Sequence, residues 1–318
     1  MAEKDIIKCH VADPGNRYDK WIDRNGQTKA CLSVIKPIED YDNFSVEDVH
    51  KDSYLIEIDG DRYLIGRQAQ LMGGSPVFNG NKCEKADLLI LTGIDTNYGS
   101  DFADIEKLNI CLPDSRNETN LKYLQALAVE RTFKRNGRVI RYRIRKVNAV
   151  DETRGAYIQA HKEKIFKYPG RVNGVVTLGG HDGIAYLYQP GSSKPDYGSK
   201  VQMPGTIFIA EKITSALSAQ AHFSPKPEVI MDAIAENNYT YIHNGQEIDF
   251  KKHFMRARAA YQEEIKGRLK TKWANYRGNL GQILVIGGTA HLMQDMCANP
   301  LYVIPLDPQF YDLKGLNT

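Results

Sequence analysis

Three short segments of this chain place glycine directly after an apolar run, and their chemistry is that of backbone anion binding. Asp13-Pro14-Gly15-Asn16 follows residues 6–12. Leu178-Gly179-Gly180-His181-Asp182-Gly183 follows residues 174–177, and Gly287-Gly288-Thr289 follows Ile283-Leu284-Val285-Ile286. A glycine turn lets backbone approach a flat or charged ligand closely, and its successive N–H groups form a nest for an anion without help from side chains. At the start of a helix such N–H groups point outward. Any one of these turns could equally serve tight packing. Three of them, one early, one central and one late, suggest two similar halves closing on a phosphate-bearing ligand.

The elements that must carry these turns read as strands and hairpins. Residues 6–12 form a strand, which returns after the turn through residues 18–22. Asn25-Gly26 marks a hairpin, with a third strand over 30–38. Residues 40–52 read as loop. A second hairpin spans 54–58 and 62–66 about Asp59-Gly60. Residues 73–82 form a loop rich in Gly, Ser and Asn, and 86–91 is either helix or strand. Residues 107–112 are a buried strand closed by Pro113. Spacing through Leu121, Leu124, Leu127 and Val129 predicts a helix over 120–134. A long strand over 139–150 and a helix over 157–166 follow. After Pro169-Gly170 the plan recurs, with a hairpin of 172–178 and 184–188, a strand at 206–209, a helix over 211–221 and a small hairpin about Asn244-Gly245. A long charged helix over 251–276 carries Phe254, Ala257, Tyr261, Ile265 and Leu269 on one side. The Gly287 strand–turn–helix unit and a strand over 302–306 complete the chain. Two α/β domains are expected, 1–170 and 171–318.

Composition narrows the function. Of 318 residues, 42% are hydrophobic and 25% charged, as in a soluble globular protein. No apolar run approaches the roughly 20 residues that span a bilayer, so no membrane partner is expected. The first residues, Met-Ala-Glu-Lys-Asp, have no apolar signal core, and a cytoplasmic location is expected. Cys9, Cys31, Cys83, Cys111 and Cys297 are scattered and never in a Cys-x-x-Cys pair, which argues against disulfides or a zinc site. A net charge of +3 does not imply nucleic acid. Between Arg131 and Lys146, however, stand eight basic residues and no acid. In a strand, Arg141, Arg143 and Arg145 share one face and Ile140, Tyr142 and Ile144 the other. That face is either balanced by acids elsewhere or meets another protomer or an acidic partner. Direct DNA binding is disfavoured, because few aromatics interleave and no recognition helix follows.

Taken in order, these segments resemble the nucleotide-binding signature of the actin-like ATPase superfamily. Asp13-Pro14-Gly15-Asn16 looks like the first phosphate loop, Ile110-Cys111-Leu112-Pro113 like the first connecting segment, Thr177-Leu178-Gly179-Gly180 like the second phosphate loop, and Ile286-Gly287-Gly288-Thr289 like the adenosine loop. Within the superfamily the resemblance is to ParM-like plasmid-segregation actins of bacteria and archaea. It is supported by Tyr63-Leu64-Ile65-Gly66-Arg67-Gln68-Ala69 after a hairpin and by the tail Pro308–Leu316, similar to a Phe-Ala-Asn-x-x-Gly ending. The resemblance implies an α/β fold of two ribonuclease-H-like domains around a nucleotide cleft. It implies ATP or ADP with magnesium, Asp13 as the acid near the metal, and Gly15, Asn16, Gly179, Gly180 and His181 near phosphate. Gly287, Gly288 and Thr289 would pass under adenine. Glu264, with Glu263, Lys266 and Lys270, is a candidate for the ribose, or else lies on a solvated face with pairs such as Glu264–Arg268. Asp13 alone could also simply open a turn before Pro-Gly.

One departure matters. The family's second phosphate loop begins with Asp, and Thr177 stands in that place here. Asp182, beyond the glycines, either compensates or caps its turn. Asp114, Ser115 and Glu152 are candidates to orient water for an in-line displacement without a covalent intermediate. The expected activity is an ATP-binding, ATP-hydrolysing protein that assembles head-to-tail into filaments for plasmid segregation or a related cytoskeletal task, reaching DNA through an adaptor protein. A non-hydrolysing nucleotide-gated scaffold and a small-molecule kinase of the same fold are the alternatives. The 73–82 loop and the hairpin at Asn244 are the candidate longitudinal surfaces.

Overall fold

The computed structural model describes residues 5–77, 81–97, 99–221 and 225–317. It divides into two compact units, Met1–Gly155 with Leu313–Thr318, and Ala156–Asp312. The Pro169-Gly170 turn, where the sequence pattern places the division, lies inside the second unit. Among the described residues no helix is long and apolar enough to cross a membrane.

In the first unit the strands are β1 (Asp5–Ile7), β2 (His10–Pro14), β3 (Tyr18–Ile22), β4 (Thr28–Leu32), β5 (Val34–Pro37), β6 (Ser53–Ile58) and β7 (Asp61–Gly66). Helix α1 (Arg67–Leu71), β8 (Ser75–Pro76), helix α2 (Ala86–Gly93), β9 (Phe102–Ile105), β10 (Leu108–Leu112), helix α3 (Glu118–Gln125), β11 (Glu130–Arg135), β12 (Arg138–Ile144) and β13 (Val147–Asp151) follow. They form two sheets, ordered β1-β9-β12-β11-β6-β7-β5-β8 and β13-β10-β2-β3-β4. Strand β10 is buried at every residue and has parallel neighbours on both sides, which explains its unbroken apolar run.

The chain passes between these two sheets at four short corners: β1 to β2, β4 to β5, β9 to β10, and β12 to β13. This corrects three expectations. The strands read over 6–12, 30–38 and 139–150 are each two strands in different sheets. Alternation continues across a corner, so a period of two carries no mark of the switch. The helix expected over 120–134 stops at Gln125. Asn117 caps its start, accepting the Asn120 N–H at 3.0 Å. Leu124 and Leu127 enter the core, and Arg131-Thr132-Phe133 then pairs with β12, so sheet pairing overrides helical spacing. Residues 86–91 are helix. The 73–82 loop holds the short β8, and its residues 78–80 lie outside the described residues.

The second unit comprises helix α4 (Arg154–Lys162, begun in the last residues of the first), β14 (Val172–Leu178), β15 (Asp182–Tyr188), β16 (Pro195–Pro204), helices α5 (Ile207–Ala221) and α6 (Pro227–Ala235), β17 (Thr240–His243), β18 (Gln246–Asp249), helix α7 (Lys251–Lys272), β19 (Leu280–Ile286), a 3-10 segment Ala290–Ala298 and β20 (Tyr302–Val303). The short α8 (Tyr311–Leu316) ends the described chain. The sheet order is β16-β15-β14-β19-β20. Its two faces read directly from alternation. Val176, Leu178, Ile283 and Val285 join the core under α5, α6 and α7, while Val175, Leu284 and Ile286 join the core with Tyr157 and Ala160 of α4.

Residues 206–209 were expected as a strand and are instead the entry to α5, while polar residues 195–204 form edge strand β16. The apolar Ile207 and Ile209 serve as the packed first turn of a helix, so burial rather than propensity decides. Helix α7 stops at Lys272, ahead of a 3-10 turn at Ala274–Tyr276, and Phe254, Ala257, Tyr261, Ile265 and Leu269 are all buried as expected.

His10, at the start of β2, is buried, and its Nε2 has no hydrogen-bond partner. Burial, with the charges of Arg24 and Arg135, pushes its imidazole from an ordinary 6.5 down to about 4. The unfolded chain therefore takes up this proton first, and His10 costs stability as pH falls from the ordinary value toward the depressed one. Urea unfolding is expected to show about 2 kcal/mol lost to this group between pH 7.5 and pH 5, and His10→Gln should remove that increment.

Candidate functional site

Strands β2, β10 and β13 are parallel, so their carboxyl ends share one edge of their sheet. In open α/β sheets, ligands bind outside those ends. Asp13 stands near the end of β2, and Asp151 ends β13 opposite Leu112 of β10. Glu152 follows directly, its N–H donating to the Leu112 carbonyl at 2.7 Å.

The hairpin after β2 sets the first charge contact. Gly15 is needed where it stands, since a Cβ there would lie 2.5 Å from the Tyr18 carbonyl oxygen. Its N–H closes on the Asp13 carbonyl at 2.7 Å, and its own carbonyl accepts the Ser33 hydroxyl at 2.6 Å. This tight turn places Lys20 directly across from Asp13, and the ammonium donates to Asp13 Oδ2 at 2.5 Å. Lys82, which precedes α2, is largely buried; its Nζ lies 4.0 Å from Asp13 Oδ1 and donates to Glu152 Oε1 at 2.8 Å.

Burial alone would raise the Asp13 carboxyl, but Lys20 and then Lys82 outweigh it and hold the group below its ordinary value. Burial opposes the Lys20 charge too, and Asp13 reverses that effect. Asp19, one residue before Lys20, behaves oppositely, because burial pushes it up to about 8 against a hydrogen bond from Thr92. Of the two acids on this hairpin, Asp13 is the anion near neutrality. Asp114 turns its carboxylate onto the Arg116 guanidinium, at 3.0 and 2.9 Å, while Asp151 Oδ1 accepts the Ser115 N–H at 2.8 Å.

In the second unit the two late glycine turns meet. Strands β14 and β19 are parallel neighbours and end together. Gly287 has φ +99°, and a Cβ there would lie 2.3 Å from the Leu178 carbonyl oxygen. That carbonyl also accepts the Thr289 hydroxyl at 3.1 Å. Gly288 is exposed beside them. The Gly179–His181 turn is clasped by the entry to α5, where the Thr206 and Ile207 N–H groups donate to the Gly179 and Gly180 carbonyls at 3.1 and 2.8 Å. Gly205 fits only without a side chain, since a Cβ would lie 2.4 Å from the His181 carbonyl carbon.

Thr177 pairs with Ile184, two residues after Asp182, so strand alternation puts Thr177 and Asp182 on the same face of the hairpin. Asp182 Oδ2 lies 3.5 Å from Gln202 Nε2. Glu264 pairs with Arg268 at 2.7 Å, the i,i+4 arrangement foreseen as one alternative, and Arg268 also donates to the Gln202 carbonyl at 2.9 Å.

Thus Asp13, Gly15 and Glu152 gather in the first unit, and Gly179, Gly180, Gly287 and Thr289 in the second. Lys20, Lys82 and Asp151 were not singled out from sequence. Lys20 could have been, because a tight turn at Gly15 dictates which residue faces Asp13. Lys82 lies far along the chain from both its partners, and local spacing carries no sign of it.

No family model matches this sequence, and no curated protein matches it. Solved structures do. The archaeal actin homologue Ta0583 superposes with TM-score 0.82 at 13% identity, over 98% of both chains. Its complex with ADP gives 0.78 at 12% identity, again over 98% of both chains. A 15-stranded ParM filament from Clostridium botulinum gives 0.76 at 16% identity, over 97% of this chain and 98% of that one.

This chain has the actin-like fold. The match runs nearly end to end. Both turn clusters lie at the carboxyl ends of parallel strands of this actin-like fold.

Because Gly287 combines positive φ with backbone contact to Leu178, Gly287→Ala is expected to lose more than about 2 kcal/mol by chemical denaturation. Gly288→Ala, which meets nothing closer than Gln309 at 4.0 Å, should cost far less.

Proposed function

We propose that the protein binds ATP with magnesium and assembles into actin-like filaments, hydrolysing the nucleotide as it does so. The observation that carries this is Asp13, a carboxylate kept charged between Lys20 and Lys82 at the end of parallel strands. It stands in a fold matched along nearly its whole length by an actin homologue solved with ADP and by a ParM filament.

The donor set suits this ligand. Among the described residues no group of three or more His, Cys, Asp or Glu side chains could hold a metal. Magnesium binds through one or two carboxylates, water and substrate phosphate rather than in an all-protein cage, and Asp13 fits that role. When bound, it would neutralise charge developing on the phosphates. Lys20 would bind phosphate from its place beside Asp13. The Gly15 and Gly179 N–H groups are given to the Asp13 and Asp182 carbonyls at 2.7 and 2.8 Å, so the Gly180 N–H of the second turn would face a phosphate oxygen. Glu152 would orient water once Lys82 releases it, with Asp182 on the Thr177 face taking the role of the family's missing acid. Filament assembly would serve plasmid segregation or a related cytoskeletal task in the cytoplasm, with DNA reached through an adaptor protein.

Thr177 and the Lys82–Glu152 pair favour a second reading, a nucleotide-gated scaffold that does not hydrolyse. Phosphate release separates the two, and pelleting with ATP and magnesium tests assembly. Fluorescent ATP titrated with magnesium should bind the wild-type protein, and Asp13→Asn or Lys20→Ala should weaken binding about 10- to 100-fold, as expected for a charge-assisted hydrogen bond. If the wild type binds no nucleotide, the proposal is lost.

A further inference from the structure

Lys82 is only 9% exposed, and a lysine is almost never buried without a specific partner. It opens the 3-10 turn Lys82–Lys85, which is anchored to its surroundings. Asn81, just ahead, accepts the Cys83 N–H at 3.0 Å and donates to Asn120 of α3 at 3.0 Å. Cys83 itself is buried in the core of the first unit. The turn thus fixes where the lysine stem begins, while the flexible four-carbon stem lets its ammonium change partners.

The two oxygens of Asp13 face different cations. Oδ2 takes the Lys20 ammonium at 2.5 Å, whereas Oδ1 lies 4.0 Å from Lys82. Lys20 stands on the next strand of the same hairpin, so register alone holds it there. Lys82 is placed differently, because it addresses two carboxylates from two strands. Asp13 belongs to β2 and Glu152 follows β13, with β10 between them in the sheet, and Lys82 donates to Glu152 at 2.8 Å. One or two carboxylates about a cation is also the share that a protein usually contributes to a magnesium site. The ammonium therefore occupies, from within the chain, the kind of position that suits a metal ion.

We propose that Lys82 is the site's resident cation, neutralising Asp13 and Glu152 until nucleotide arrives with magnesium, and then giving up its place beside Asp13 Oδ1 to the metal. Two cations repel strongly where water is excluded, so the ammonium and the metal do not share this pair of acids. Lys82 turns to the incoming phosphate charge, and no buried charge is left without a partner. Lys20 keeps Asp13 Oδ2 throughout. The exchange frees Glu152, which makes Lys82 a positioning residue that ties the release of the water-orienting acid to the arrival of metal and nucleotide. This use of the exchange rests on the nucleotide reading above, but the exchange itself is testable without nucleotide.

Lys82→Met keeps the length of the stem and removes its charge. Its urea midpoint should fall below that of the wild type, because a buried charge has lost a partner. Millimolar magnesium should restore that midpoint, and sodium at equal ionic strength should not. Manganese uptake without nucleotide, read from the paramagnetic resonance of the free ion, should be at least about tenfold tighter in Lys82→Met than in the wild type, the scale of two ligands that exclude one another. Adding Glu152→Gln should abolish that gain, since the metal then has Asp13 alone. A Lys82→Met protein that takes up manganese no better than the wild type, or that magnesium does not restore, overturns the proposal and leaves Lys82–Glu152 a structural ion pair. A double variant that keeps the tighter uptake overturns it as well. Titrating ATP into the wild type separates this from the nucleotide reading. A wild type that binds no ATP, beside a Lys82→Met protein that gains metal, ends the nucleotide reading and leaves the exchange standing. A wild type that binds ATP, beside a Lys82→Met protein that gains no metal, ends the exchange alone.

Discussion

Parallel strand pairing at the centre of each unit is the constraint on which the rest depends. Parallel neighbours must end on the same side, so whatever follows each strand is delivered to one edge. In the first unit this gathers Asp13, Pro113–Ser115 and Asp151–Glu152. In the second it gathers Gly179 and Gly287, which touch through the Leu178 carbonyl. The antiparallel hairpins beside these strands add the close partner on the other flank, Lys20 for Asp13 and Asp182 beyond Gly179. Neither site needs an element of its own; both are by-products of how the sheets are wound.

Charge at the first site is balanced rather than simply paired. A buried carboxylate with a single ammonium would be a closed ion pair, and its desolvation could cancel its Coulomb gain. Here two lysines address Asp13, and Lys82 is shared with Glu152. A cation shared between two carboxylates can exchange one for another ligand without leaving a buried charge uncompensated. The same principle shows in the eight-stranded sheet, where fully buried Asp104 receives both Arg143 and Arg145. That pairing accounts for Arg143 of β12 and for Arg145 just beyond it, and Arg141 lies 4.6 Å from the Phe102 ring centre. Part of the charge that looked available to a partner is met by Asp104.

Helix α7 organises the second unit in a similar way. One face supplies the core with Phe254, Ala257, Tyr261, Ile265 and Leu269, and its polar side chains reach neighbouring elements, as Gln262 does in donating to the Leu292 carbonyl at 2.7 Å.

The sequence by itself determined the parts that depend on local pattern. Glycine after an apolar strand marked the turns at Gly15, Gly179 and Gly287, because only glycine tolerates a backbone carbonyl where its Cβ would be. Alternation located most strands, the 3.6-residue period located α7, and the order of the motifs along the chain pointed to the actin-like fold. Tertiary structure decided what local pattern does not encode. The corners between two sheets were invisible because alternation continues through them. Residues 130–135 became a strand because β12 was there to pair with, and 206–209 became a helix entry because Ile207 and Ile209 pack into the core there. Lys82 reached Asp13 and Glu152 only through the folding of distant segments. Backbone conformation is set among near neighbours in the chain, whereas the balance of buried charge is set among neighbours in space.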